Sequence, residues 1–353
     1  MLINATTQIA ETRAELSRRF DLAPSPAAAR ETAERYVRVQ RVIPEVDWLR
    51  FAPYIRAIEQ LKAERDAVIL AHNYMTPEIF HGVGDVTGDS LALAIEATKV
   101  PNPVIVQCGV HFMAETSKIL SPDKTVLIPD PRAGCSLAES ICAGDVAQMR
   151  AQFPGAKVVS YVNTPAEVKA ASDICCTSAN ALEVVEAMPG DTVIMTPDGF
   201  LARNVAAEST KRIVWWEGTC MVHERFTAEE LRVYREGNPG VVIIAHPECP
   251  REVVEEADFA GSTAGMISYV RQNKPEKVVM VTECSMSDNV AAEIPETEFI
   301  RPCNICPHMK RITLENILWS LHTMTEEVTV KEAYLEPARR AVEAMIALKE
   351  RKH

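Results

Sequence analysis

Three cysteines in this sequence recur at nearly one interval: Cys135, Cys220 and Cys306 stand 85 and 86 residues apart. Each closes a strand-like run and a turn, in TVLIPDPRAGC, RIVWWEGTC and TEFIRPCNIC. Cysteine thiolates hold iron–sulfur clusters, and an electron-transfer cubane normally takes four of them. Three would leave one iron open to a substrate oxygen, where it could polarise a carbonyl or take up a departing hydroxide. The same spacing is also expected of buried thiols repeated by shared ancestry, since free cysteine packs as a small hydrophobe. Gly134, Gly218 and Thr219 beside the cysteines favour a metal, because backbone approaching a bulky cluster needs small residues. Cys303 and Cys306 form the only C-x-x-C pair, and without a second such pair it is weak evidence for zinc.

Other chemistry-bearing residues follow the same period. Strand-like runs end in AHNY (71–74), SYVN (160–163) and AHPE (245–248), and each is followed by a hydroxyl-bearing segment that opens a helix, with Ser90, Ser178, and Ser262 with Thr263. Ser178 and Thr263 are again 85 residues apart. Hydroxyls at helix starts either bind anions beside free N–H groups or act as ordinary N-caps. TVIMTPDGFLARNVAA (192–207) and KVVMVTECSMSDNVAA (277–292) are the closest internal match.

These residues must be positioned by a repeated layer structure. Short β-rich runs alternate with amphipathic segments from residue 66 onward, the pattern of parallel α/β layers. The expected strands are AVILAH, PVIVQ, TVLIP, KVVSYV, TVIMT, RIVWW, VVIIAH, KVVMVT and TEFIR. The reading is α/β: three similar αβα domains with parallel sheets around a pseudo-threefold axis, ligands gathering beyond the carboxyl ends of the strands. The expected boundaries are a helical extension 1–50, repeats 51–142, 143–227 and 228–318, and a C-terminal helical segment 319–353 packing on the first repeat.

Bulk properties narrow the function. The net charge of −12 disfavours a nucleic-acid partner, so an anionic substrate must be held by a local constellation. No apolar run is long enough to span a bilayer, and an N-terminus carrying acidic residues does not read as a signal peptide. A cytoplasmic location is expected, and in a reducing compartment ten cysteines argue for packing or metal work over a disulfide framework. No Gly-rich nucleotide loop is present.

The segments AHNY, GDS (88–90), CGVHFMAETSKIL (108–120), PDPRAGCSLAES (130–140), YVNT (161–164), CTSANA (176–181), WEGTCMVH (216–223), AHPE, GSTAGM (261–266) and CPHMKRITLENI (306–317) resemble the quinolinate synthase family, in order, from about residue 50 to 320. The resemblance implies condensation of iminoaspartate with dihydroxyacetone phosphate to quinolinate, with loss of phosphate and water, in NAD biosynthesis, and a functional link to the enzyme that makes iminoaspartate. It also implies a 4Fe-4S cluster held by Cys135, Cys220 and Cys306, and it turns Ser178 and Thr263 from caps into substrate contacts, with Ser90 beside them. Such chemistry needs several proton transfers. Glu248 and Tyr74 are the acid/base candidates, His223 orients the site or shuttles protons, and His72, His246, Tyr161 and Asn163 position substrate. Cys108, Cys142, Cys175, Cys176, Cys249 and Cys284 read as packing residues, Cys303 as a redox-sensitive neighbour of Cys306, and His81, His111 and His308 as core or surface. Arg132 and Lys310 are placed near the ligand cysteines. A hydro-lyase acting on another carboxylic acid, or a labile-cluster sensor, are the alternative readings; the acidic surface argues against the sensor.

Overall fold

Uninterrupted apolar runs are what strands covered on both faces require. The computed structural model, which describes residues 5–350, builds them into three four-stranded sheets. The first contains β1 (Ala67–His72), β2 (Val86–Gly88), β3 (Val104–Cys108) and β4 (Thr125–Leu127). The second contains β5 (Lys157–Tyr161), β6 (Ile174–Cys176), β7 (Thr192–Thr196) and β8 (Arg212–Trp215). The third contains β9 (Val242–Ala245), β10 (Phe259–Ala260), β11 (Lys277–Val281) and β12 (Glu298–Ile300). Their orders, β2-β1-β3-β4, β6-β5-β7-β8 and β10-β9-β11-β12, are one topology used three times, and every pairing is parallel. The α/β reading with three similar units therefore stands.

The nine expected strands are all present, and the three others, β2, β6 and β10, occupy the same edge in each unit. They have only two or three residues, too few for a periodic signal. A side chain fixes their register instead. Asp85, Asp173 and Asp258 lie just before these strands, and their N–H groups donate to the carbonyls of Ile69, Val158 and Ile243 at 3.0, 3.0 and 2.8 Å. Their carboxylates accept the N–H groups of those same residues at 2.8, 2.9 and 2.8 Å. A cation flanks each one: Lys62, Arg150 and Arg235.

Two further devices recur. The N–H groups of His111, Gly199 and Cys284, in the first turns of the helices after β3, β7 and β11, donate to the carbonyls of Ala133, Gly218 and Asn304 at 2.7, 2.9 and 3.2 Å. Each carbonyl lies two residues before one of the three periodic cysteines, so the bond places that cysteine beyond the strand ends. Capping boxes at Cys142/Asp145, Thr227/Glu230 and Thr313/Asn316 then begin the helices Ala143–Gln152, Ala228–Gly237 and Leu314–Thr323.

The first two of these helices open the second and third units. The helix Leu314–Thr323 returns to the first, packing on the helix Glu45–Arg65 and on β3, and so closes the ring. The expected boundaries at 142 and 227 coincide with caps, whereas those at 50 and 318 fall inside helices. The C-terminal helix Glu332–Glu350 lies mainly against the helix Ala166–Ala171 and β6 of the second unit, with a flank on His111–Leu120 of the first; the packing on the first unit comes chiefly from the preceding helix. Before Glu45, the helices Ala5–Arg19, Pro26–Glu31 and Ala33–Val39 form the extension. Among the described residues, no helix is long and apolar enough to cross a membrane.

Candidate active site

The strand-end residues meet in one cavity of about 720 Å³, counting its open mouth. All thirteen residues singled out from the sequence line it, and they fall into sets of three, one from each unit. Counting from the edge-strand aspartates, Ser90, Ser178 and Thr263 each come five residues later. Counting from Ile69, Val158 and Ile243 gives His72, Tyr161 and His246 three residues on, and Tyr74, Asn163 and Glu248 two beyond those. The fourth set is Cys135, Cys220 and Cys306. Only His223 stands outside the threefold pattern.

Both His72 and His246 are held in one form. Their Nδ1 atoms accept the N–H groups of Tyr74 and Glu248 at 3.2 and 3.3 Å, which leaves the proton on Nε2. Burial pushes each imidazole down to about 3, partly offset by Glu248, so both are neutral Nε2–H donors at ordinary pH. His246 Nε2 lies 3.2 Å from Ser178 Oγ.

Glu248 is 3% exposed and bonded on both oxygens. Tyr161 donates its hydroxyl to Oε1 at 2.5 Å, and His223 Nδ1 lies 2.9 Å from Oε2. Burial alone would raise this carboxyl, but the nearby His246 and His223 and the bonds from His223 and Tyr161 bring it below its ordinary value. With His246 neutral, the hydrogen bonds carry that direction. His223 Nδ1 is also 3.1 Å from Cys220 Sγ, while its Nε2 reaches Thr282 Oγ1 at 3.0 Å, and that hydroxyl is 2.6 Å from the Tyr74 hydroxyl. A continuous polar chain thus runs Tyr161–Glu248–His223–Thr282–Tyr74 through all three units. Burial and the neighbouring Glu248 push both tyrosines well above their ordinary value, so they enter this chain as neutral hydroxyls.

The hydroxyl set differs in part from the expectation. Ser90 and Thr263 are the first residues of their helices, and the capping is done by Asp89, which accepts from Ala92 N, and by Ser262, which accepts from Gly265 N. Their own hydroxyls are not consumed as caps, although Thr263 accepts from Asn73 Nδ2 at 2.9 Å. Ser178 lies three residues before its helix Ala181–Ala187, in a turn fixed by Asn180 accepting from Thr177 N. Asn163 Oδ1 is buried with no partner, the state of a group awaiting a ligand.

The three periodic cysteines share a feature that the other thiols lack. Backbone N–H groups two and three residues on point at each sulfur: Leu137 and Ala138 at Cys135, Val222 and His223 at Cys220, His308 and Met309 at Cys306. Leu137 and Ala138 lie in the short helical turn Ser136–Glu139, and the other donors open the turns His223–Arg225 and Met309–Arg311, with Val222 and His308 as their N-caps. Burial raises all three thiols, Cys135 to about 12, while these donors favour the thiolate. Such sulfurs become anionic when a cation sits between them, so the donor set fits a cluster with three cysteine ligands. One atom each of Cys220, His223 and Glu248 also lies within 4.8 Å of the others, close enough for a single divalent ion.

Several expectations need correction. Gly218 is not explained by clearance for a cluster: a Cβ there would stand 2.5 Å from both the Pro197 carbonyl oxygen and Ser140 Oγ. Cys284 is not a packing thiol, since it forms a disulfide with Cys303. Cys142 is exposed and caps a helix, while Cys108, Cys175, Cys176 and Cys249 are buried. His308 lines the cavity, with Nδ1 buried and unpartnered. The Arg132 side chain is 75% exposed and pairs with Asp130. Lys310 does reach the site: it donates to Glu283, to the Tyr74 carbonyl and to Ser285 Oγ at 2.8, 2.9 and 2.7 Å. Glu283, fully buried, accepts Cys306 N–H at 3.2 Å and was missed from the sequence. Its alignment with Asp198, another buried N-cap acid, was the available signal.

Fold and site together define an enzyme: a ring of three α/β units enclosing a cavity with a thiol triad, paired imidazole donors and a hydrogen-bonded carboxylate. The family model for "Quinolinate synthetase A protein" matches residues 56–347, and the chain belongs to that family. It is 59% identical over 332 residues to the quinolinate synthase of Sinorhizobium fredii, covering 94% of this chain and 92% of that one. Against the quinolinate synthases of Xylella fastidiosa and Caulobacter vibrioides it is 60% and 56% identical, over 85% and 92% of this chain and 88% and 89% of the relatives.

Proposed function

We propose that the chain condenses iminoaspartate with dihydroxyacetone phosphate to quinolinate, releasing phosphate and water, with a 4Fe-4S cluster held by Cys135, Cys220 and Cys306. The observation that carries this reading is the pair of backbone N–H groups aimed at each of those three sulfurs, where Cys142 and Cys249 receive only one. When bound, the cluster supplies a Lewis-acidic iron with one position open to substrate oxygen.

The rest falls to the protein. The Nε2–H groups of His72 and His246 and the hydroxyls of Ser90, Ser178 and Thr263 are donors suited to carboxylate and phosphate oxygens. Asn163 Oδ1 accepts from an N–H or O–H of the substrate. Glu248 takes protons during imine–enamine exchange and ring closure, and Tyr74 delivers one to a leaving hydroxyl. The polar chain through His223 and Thr282 links Glu248 to Tyr74 and holds both groups in place in the cavity. A functional link to an enzyme that produces iminoaspartate follows, since that imine hydrolyses in water.

The test is anaerobic reconstitution, with iron, sulfide and quinolinate measured for the parent, Cys306→Ser and Cys303→Ser. The parent should bind about four irons and form quinolinate. Cys306→Ser should lose cluster and activity together, and Cys303→Ser should keep the cluster. A parent that binds no cluster, or forms no quinolinate when loaded, would sink the proposal.

A further inference from the structure

Lys169, in the helix Ala166–Ala171, is fully buried, among the largest side chains of the protein with no access to water. Withdrawing an ammonium from water without a paired anion is costly by several kcal/mol. Yet among the described residues no carboxylate pairs with it. Glu115 acts on it only from farther off, and its carboxylate accepts the N–H of Ala166 instead, at 3.0 Å. A position this unfavourable to a lysine calls for a use of its charge.

The surroundings supply one. The Lys169 ammonium donates to the Thr164 carbonyl. Thr164 is itself fully buried and donates its hydroxyl to the Tyr161 carbonyl at 3.0 Å. The lysine therefore grips the far end of the strand-to-helix turn that presents Tyr161 and Asn163 to the cavity. On another side, Nζ lies 5.4 Å from the ring centroid of Phe112, a cavity-lining residue. Its charge acts to lower the buried Cys175 thiol. Burial pulls the lysine below its ordinary value, opposed chiefly by the more distant Glu115 carboxylate.

We propose that Lys169 is a positioning residue of the active cavity: bonded to the Thr164 carbonyl and seated behind Phe112, it fixes the Tyr161–Asn163 turn and provides a buried positive charge for a bound dianion. It touches neither substrate nor cluster and acts through Thr164 and Phe112. The inference rests on the quinolinate-synthase reading above.

The experiment measures quinolinate binding to the anaerobically loaded enzyme by equilibrium dialysis, with iron per chain determined on the same samples. Lys169→Met keeps the length and removes the charge; Lys169→Arg restores a cation; Lys169→Gln keeps a donor and is the fallback should the methionine variant not fold. The expected result is parent iron content with quinolinate affinity weakened about tenfold or more in Lys169→Met or Lys169→Gln, and recovered at least in part in Lys169→Arg. A purely structural lysine would shift thermal stability but not affinity at equal iron loading. Parent-like affinity in a folded Met or Gln variant overturns the proposal, as does failure of both to fold. A loaded parent that does not bind quinolinate refutes the reading on which the inference rests, and the inference falls with it.

Discussion

Gly218→Ala tests the threefold device that places the cysteines. An alanine Cβ at this position would lie 2.5 Å from the Pro197 carbonyl oxygen, whereas real contacts essentially never fall below 3.0 Å, so at least 0.5 Å of movement is required. The obstructing oxygen is backbone and already accepts Gly218 N–H at 3.0 Å, while the Gly218 carbonyl accepts from Gly199 N at 2.9 Å. Relief by moving the 216–220 segment therefore strains both bonds and carries Cys220 along. Overpacking typically costs about 1–3 kcal/mol and a weakened hydrogen bond about 1 more, giving about 2–4 kcal/mol. Gly134→Ala is the control, because the atom it meets first is the end of the flexible Glu139 side chain. Urea unfolding of the cluster-free proteins, with iron uptake measured separately, should show Gly218→Ala destabilised by that amount and poor in iron, and Gly134→Ala within about 1 kcal/mol of the parent. A Gly218→Ala protein with parent stability and parent iron content would refute the reasoning.

Two other changes probe the polar framework. Tyr161→Phe removes the hydroxyl that donates to buried Glu248 at 2.5 Å; quinolinate formation should fall about 10²-fold or more at unchanged iron content, with about 1–3 kcal/mol lost in denaturant unfolding. For Asp173, burial alone would raise the carboxyl, but Lys157, Val158 N–H and Arg150 hold it below the ordinary value. Its stabilisation is therefore complete above the unfolded carboxylate value of about 3.9 and is lost as pH falls through the lower folded value. Asp173→Asn should cost about 1–2 kcal/mol near neutrality, the exposed side of the pairs being screened, and should flatten the acid limb of stability below about pH 4 in melts taken across pH.

The period, the strand runs and the twelve threefold cavity residues were legible along the chain, because each unit solves the same local problem with the same local bonds. A buried parallel strand must be apolar, its carboxyl end is where polar groups can gather, and a cysteine fixed by a turn two residues earlier keeps its place in every copy. What eluded the sequence depends on contacts between units or on elements too short to be periodic. The edge strands β2, β6 and β10 are held by one aspartate each, whose type alone does not reveal that its carboxylate grips a neighbouring strand. Glu283 and His308 read as ordinary residues until the third unit's loop brings them to the cavity, and Cys284 finds Cys303 only because the helix after β11 begins beside that loop. Tyr161, Glu248, His223 and Tyr74 are far apart along the chain, and the polar path joining them exists only where the three units meet. Local bonding repeats with the sequence and can be read from it. The fields and partners of buried groups are set by what the other units bring within a few ångströms, and only the closed ring decides that.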